Sequence, residues 1–202
     1  MKKLVLLAVL ALALPIAAFA SSQVDYTNSG GTLAGSNSGL TLSGSTLLVV
    51  KGLNGGGTIT GSDLGTVGFA TGALTSGSLQ MGGTFAAGGW FTITGNGSNG
   101  IPNGTLFTGT FSGPVSWQLM TLSNGTHNYT LTGALSGTTN TGFSTVGVTV
   151  QLTINTGKGF FNGSTSISSG DTNVVVPEPG SLTLLGTGLV GMAGAIRRKL
   201  KA

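Results

Sequence analysis

The segment Val146–Ile154 constrains the fold more than any other stretch of the body. Val146, Val148, Val150, Leu152 and Ile154 are apolar, and Gly147, Thr149, Gln151 and Thr153 separate them. Apolar residues at every second position mark a strand with one buried and one solvated face. In a helix the same residues would scatter around the whole circumference. No comparable run of period 3.6 occurs between Ser21 and Val176. The body is therefore expected to bury its apolar side chains in sheets.

Weaker copies of the pattern precede it. Thr46–Val50 and Thr58-Ile59-Thr60 flank the turn Asn54-Gly55-Gly56-Gly57. Leu64–Leu74 and Ser78–Phe85 are strand candidates interrupted by glycine. Trp90–Thr94 is closed by Gly95–Gly100, and Leu106–Phe111 follows. Val115, Trp117 and Leu119 share one face, with Ser116, Gln118 and Met120 on the other. Asn124-Gly125 is a hairpin signal, after which Tyr129, Leu131 and Leu135 alternate. Phe160, Phe161 and Thr165–Ile167 suggest a last strand. Ser21–Gly39 reads as a weakly ordered lead-in or an edge strand, and Asp171-Thr172-Asn173 as a linker. Short strands separated by turns predict an all-β fold, an antiparallel body of sandwich-like or barrel-like form. Gly-x-Leu recurs at unequal spacings, which does not indicate a solenoid.

Chemistry is sparse along this body. The formal charge of +4 resides in the tails, where six of the eight basic residues lie. Between them stand only Lys51 and Lys158 against Asp25, Asp63 and Asp171. Without a basic patch, no nucleic-acid partner is expected. The chain has no cysteine, so neither disulfides nor thiol chemistry enter. His127 reads as an exposed residue beside the Asn124-Gly125 turn. The three aspartates are far apart in sequence and do not suggest the facing carboxylates of glycoside hydrolysis. Gly95–Gly100 matches G-x-G-x-x-G, but Ile101-Pro102-Asn103-Gly104 follows where a phosphate site needs a helix. Neither an enzyme, a cofactor nor a metal centre is expected. Trp90, Trp117 and Tyr129 are the candidates for stacking on a sugar, although aromatic residues in strands more often belong to the core.

Both ends read as addresses. Lys2 and Lys3 precede the apolar run Leu4–Leu14, and Ala18-Phe19-Ala20 is a small-x-small cleavage site. Residues 1–20 thus read as a signal peptide cleaved after Ala20, implying the Sec translocon and signal peptidase as partners. At the other end, residues 174–202 hold Pro177-Glu178-Pro179, an uncharged run Gly180–Ile196, and the cations Arg197, Arg198, Lys199 and Lys201. The run has 17 residues, about 26 Å as a helix against a bilayer core of ~30 Å. It is expected to span the membrane about residues 180–196, with Arg197, Arg198 and Lys199 stopping transfer. The positive-inside rule puts the C-terminus in the cytoplasm and residues 21–173, the β domain, outside.

Val176-Pro177-Glu178-Pro179, followed by Ser181, Leu184-Leu185, Gly186, Gly188-Leu189, Gly191 and Arg197-Arg198-Lys199, resembles the PEP-CTERM sorting signal of Gram-negative bacteria. The resemblance covers only this end. It implies recognition by exosortase, a membrane-embedded protease-transpeptidase, with Pro177, Glu178 and Pro179 as the recognised element. It also implies association with exopolysaccharide or biofilm matrix, and transfers no activity to the body. The expectation is a non-enzymatic structural protein of the cell surface or extracellular matrix, the alternative a carbohydrate-binding or adhesive module. An outer-membrane barrel is a further alternative, opposed by the terminal helix and basic tail.

Overall fold

The computed structural model describes residues 22–176, which form thirteen strands. They are β1 (Ser22–Ser29), β2 (Thr32–Ser36), β3 (Gly39–Lys51), β4 (Thr58–Ala70), β5 (Leu74–Ser78), β6 (Gly82–Phe85) and β7 (Gly88–Asn96). The remainder are β8 (Asn103–Phe111), β9 (Val115–Thr121), β10 (His127–Thr139), β11 (Ser144–Asn155), β12 (Ser164–Ser166) and β13 (Ser169–Val176). The expected turns fall where glycine and asparagine supply left-handed backbone. Asn54 lies at φ 53° between β3 and β4, and Asn99 at φ 52° between β7 and β8. At Asn124-Gly125, Leu122 and Thr126 close the loop between β9 and β10.

Eight strands make a closed ring in the order β11-β13-β1-β3-β4-β7-β8-β10, and β10 pairs with β11 to complete it. Every registered neighbour is antiparallel. The β1–β13 seam runs the same way, because Asn173 bonds Asp25 while Asp171 bonds Thr27. Closure removes the open edges that an antiparallel sheet otherwise exposes. Two of the three 13-residue strands, β3 and β10, are each shared between two shorter strands along one edge. The first half of β3 pairs with β2 and the second half with β1. The first half of β10 pairs with β9, the second with β8. From β9 an arm continues to β6 and β5, and β2 carries β12.

The barrel form of the expected fold is thus the one adopted, and two readings of its flanks are corrected. The described part of Ser21–Gly39 is neither a lead-in nor an edge, since β1 lies inside the ring between β13 and β3, and β2 pairs with both β3 and β12. Its Val24, Tyr26 and Asn28 face the core. The polar Asn28 conceals that alternation, but its side-chain amide donates to Ser45 Oγ at 2.7 Å, so burial costs little. Asp171-Thr172-Asn173 is no linker. It lies within β13, which continues past residue 173 to Val176. Its two outward polar side chains stitch the seam to β1.

The alternating run Val146–Ile154 lies in β11, with one departure. Val148, Val150, Leu152 and Ile154 are buried, whereas Val146 is 78% exposed. The pairing steps from Leu135↔Val148 to Ser136↔Val146, leaving one extra residue on β11. Gly147 at φ 74° provides the bulge, and the faces invert beyond it. Thr145 therefore turns inward in place of Val146, and its hydroxyl has no hydrogen-bond partner among the described residues.

The interior is apolar and aromatic. Phe69, Phe91, Phe107 and Phe111 pack with ring centroids 5.8–6.3 Å apart. Trp117 stacks on Tyr129 at 4.9 Å, and Phe161 meets both edge-on. Each large side chain so buried contributes roughly 1.5–3 kcal/mol, the main support for a fold without disulfides. The outer faces carry Thr27, Thr41, Ser43, Thr66, Thr92, Thr149 and Gln151. An apolar inside and a hydroxylated outside is the reverse of a lipid-embedded barrel.

Candidate functional site

The lone histidine of the described residues is not on the surface. His127 begins β10 and is 9% exposed, contrary to the turn reading. Its Nδ1 lies 2.9 Å from Thr121 Oγ1, and its ring stacks on Phe160 at 4.3 Å. The Asn124-Gly125 turn signals exposure locally, but Phe160 returns from a distant loop to cover the ring. The contacts of His127 are those of a packed strand residue.

Topology brings two aspartates together that the sequence keeps apart. Asp25 on β1 and Asp171 on β13 share the outer face of the seam. Each carboxylate already accepts a hydrogen bond across it, from Asn173 and Thr27 respectively. Lys51 lies directly across from Asp25. Together with Gln151 and Thr132 they line an open groove of about 840 Å³. Asp63 is remote from them and holds a turn, accepting from the backbone N–H of Gly65 and from Asn96 Nδ2. Among the described residues no three His, Asp or Glu side chains gather as for a metal.

The three candidate stacking aromatics separate into core and surface. Trp117 and Tyr129 are 1% and 0% exposed, so the reading of these two as sugar platforms is corrected. Alternation on β9 and β10 turns them inward, and their polar atoms serve the arm. Trp117 Nε1 donates to the Leu79 carbonyl at 2.8 Å, and the Tyr129 hydroxyl donates to that of Gln80 at 2.7 Å. The Phe161 N–H in turn donates to the Tyr129 hydroxyl. Trp90 alone of the three is open, at 46% exposure on the outer face of β7. The benzo edge of its indole reaches over Gly68 of β4, where an added Cβ would meet it at 3.2–3.3 Å. Beside it runs a groove of about 430 Å³ whose lining includes Thr41, Ser43, Thr66, Thr92 and Thr94.

The addressing residues fall outside the described region. These are Ala18 and Ala20, Pro177-Glu178-Pro179, the run 180–196, and Arg197, Arg198 and Lys199. No helix among the described residues is long and apolar enough to cross a membrane. What the described residues do provide is the launching point. Strand directions alternate around the ring, so β1 begins and β13 ends at the same mouth. The turns 52–57, 97–102 and 140–143 occupy that mouth too. Both addresses thus attach at one end of the barrel.

No curated protein and no solved structure matches the chain. Residues 175–199 match the PEP-CTERM protein-sorting motif, so the chain carries the C-terminal address of an exosortase substrate that is exported and delivered to the cell surface.

Proposed function

We propose that the protein is a non-enzymatic structural component of the cell surface or extracellular matrix, built as a closed barrel with a removable address. The observation that carries this reading is the junction at Val176-Pro177. The strand that closes the barrel ends at Val176, two residues into the matched motif 175–199, and Pro177-Glu178-Pro179 follows directly. A residue before proline favours extended backbone, which suits Val176 as the end of a strand. Proline disfavours helix, so a Pro-Glu-Pro sequence suits recognition by a protease. Cleavage at or near this tripeptide removes the tail and spares every strand of the ring. The filled aromatic interior and the engaged carboxylates of Asp25 and Asp171 favour a structural role over a hydrolytic one.

On this reading the Sec translocon exports the chain and signal peptidase cleaves after Ala20. The segment 180–196 then holds an intermediate in the membrane with its cations in the cytoplasm and the barrel outside. Exosortase acts at Pro177–Pro179, and the barrel joins the surface or its exopolysaccharide. The double variant Pro177→Ala with Glu178→Ala tests the sorting step. It is expected to accumulate in the membrane fraction with its tail attached. A variant that reaches the surface at the processed mass would overturn the proposal.

A further inference from the structure

The outer face of β3, β4 and β7 holds a feature that the fold does not require. Trp90 is the largest side chain on that face and remains about half open to water. Its neighbours are set by register: Ala70 lies across from Trp90, Gly68 from Thr92, and Thr66 from Thr94. Thr41 of β3 lies across from Ala70 on the other side. The result is a glycine floor with an indole at one end and hydroxyls on its borders. Thr41, Ser43 and Thr66 are exposed and Thr92 and Thr94 half-buried, so their hydroxyls and the open indole of Trp90 face the groove together. A Cβ on Gly68 would press at 3.2 Å on both the Leu42 carbonyl oxygen and the indole, so glycine keeps this floor low.

We infer that the Trp90 groove binds an uncharged polysaccharide. A hexopyranose offers an apolar C–H face and a rim of hydroxyls that both donate and accept. Indole matches the first, through an aromatic surface that is apolar with a polar N–H. Threonine and serine hydroxyls match the second, since each can also donate and accept. Strands about 4.8 Å apart, with outward residues about 6.8 Å apart along each, hold those hydroxyls in a fixed lattice. The rigid array lowers the ordering cost that a flexible site would incur. Charge selects the polymer. No Lys, Arg, Asp or Glu lines the groove, so an acidic polysaccharide finds no cation there and a cationic one no carboxylate. The Asp25–Asp171 groove, by contrast, has charges and no exposed aromatic residue. The inference deepens the matrix reading by naming what the barrel would hold, and rests on that reading only for where the polymer is met.

Binding is tested with the full-length protein purified in a detergent without a sugar headgroup. The panel comprises uncharged glucans, mannans and galactans, with alginate as the acidic comparison. The chain has two tryptophans, and Trp117 is buried, so acrylamide quenching reports chiefly on Trp90. At least one uncharged polymer is expected to bind and to protect Trp90 from acrylamide. Trp90→Ala should weaken binding tenfold or more with the thermal midpoint unchanged, and Trp90→Phe should retain part of it. Thr66→Val with Thr94→Val should weaken binding severalfold while leaving the indole in place. It decides the matter if Trp90→Ala fails to fold. The inference is overturned if no uncharged polymer binds, if alginate binds best, or if Trp90→Ala binds as the parent does. It is equally overturned if Trp90 substitutions lower the thermal midpoint alone, which is the result for an indole that only covers Gly68. Sorting is read separately by mass, so failure here leaves the placement of the protein intact.

Discussion

Tyr26 shows how a single side chain links burial to a solution property. Its ring faces the barrel interior from β1, and burial pushes its hydroxyl from 10.0 up to about 12. The cause is desolvation, which disfavours the phenolate. The folded state thus keeps a proton that the unfolded state releases near pH 10. Stability is fully present below pH 10 and falls as pH rises toward 12. The loss is roughly 3 kcal/mol, taking about 1.4 kcal/mol for each unit of pKa. Urea midpoints between pH 9 and 12 should decline in the parent, and the Tyr26→Phe variant should lose that part of the decline. Among the candidate site residues, Trp117 was misread as a sugar platform, although its alternation with Val115 and Leu119 put it on the face that the barrel buries. Trp90 was legible in the same way, because Phe91 and Ile93 alternate with Thr92 and Thr94 and so set the indole on the hydroxylated face of β7. His127 was misread because its covering ring, Phe160, comes from a loop that no local pattern predicts.

At the level of elements, stability should follow closure. Val148–Ile154 of β11 lies between β10 and β13, with four apolar side chains inside. Leu74–Ser78 of β5 ends the arm, pairs only with β6, and buries no side chain fully. Amide exchange is expected to be slowest in β10 and β11 and fastest in β5, because exchange by local opening follows burial and pairing. Exchange from β5 as slow as from β11 would contradict the assignment of β5 as a free edge. Elements differed in how legible they were. Regular alternation announced β9, β10 and β11. The bulge at Gly147 was hidden, since glycine between two valines fits an unbroken strand equally well. β1 and β13 were hidden for a different reason. Their outward faces carry Asp25, Thr27, Asp171 and Asn173, residues that locally read as loop. Their pairing with β3 and β11, and with each other across most of the chain, makes them strands.

Across the whole molecule, the same seam joins fold to fate. The last strand is inserted between the first strand and β11, so the barrel is complete only when the residues up to Val176, directly before Pro177-Glu178-Pro179, are in place. Contacts between chain ends carry a high loop-closure cost in folding, which makes β13 the expected late step. Placing the address after that strand lets the tail leave without opening the ring. Sequence could reach the strand-rich class and the sorting signal, because short-range periodicity and a local motif carry both. The strand order was beyond it, since that depends on which distant edges meet. The most direct measurement is the intact mass of the native product in fractionated cells. A species beginning at Ser21, ending at or near Pro177–Pro179 and recovered from the cell surface or matrix is the expected result. A product that keeps residues 1–20 or the Arg197–Lys201 tail, or one truncated before Ser169 with β13 missing, would contradict it.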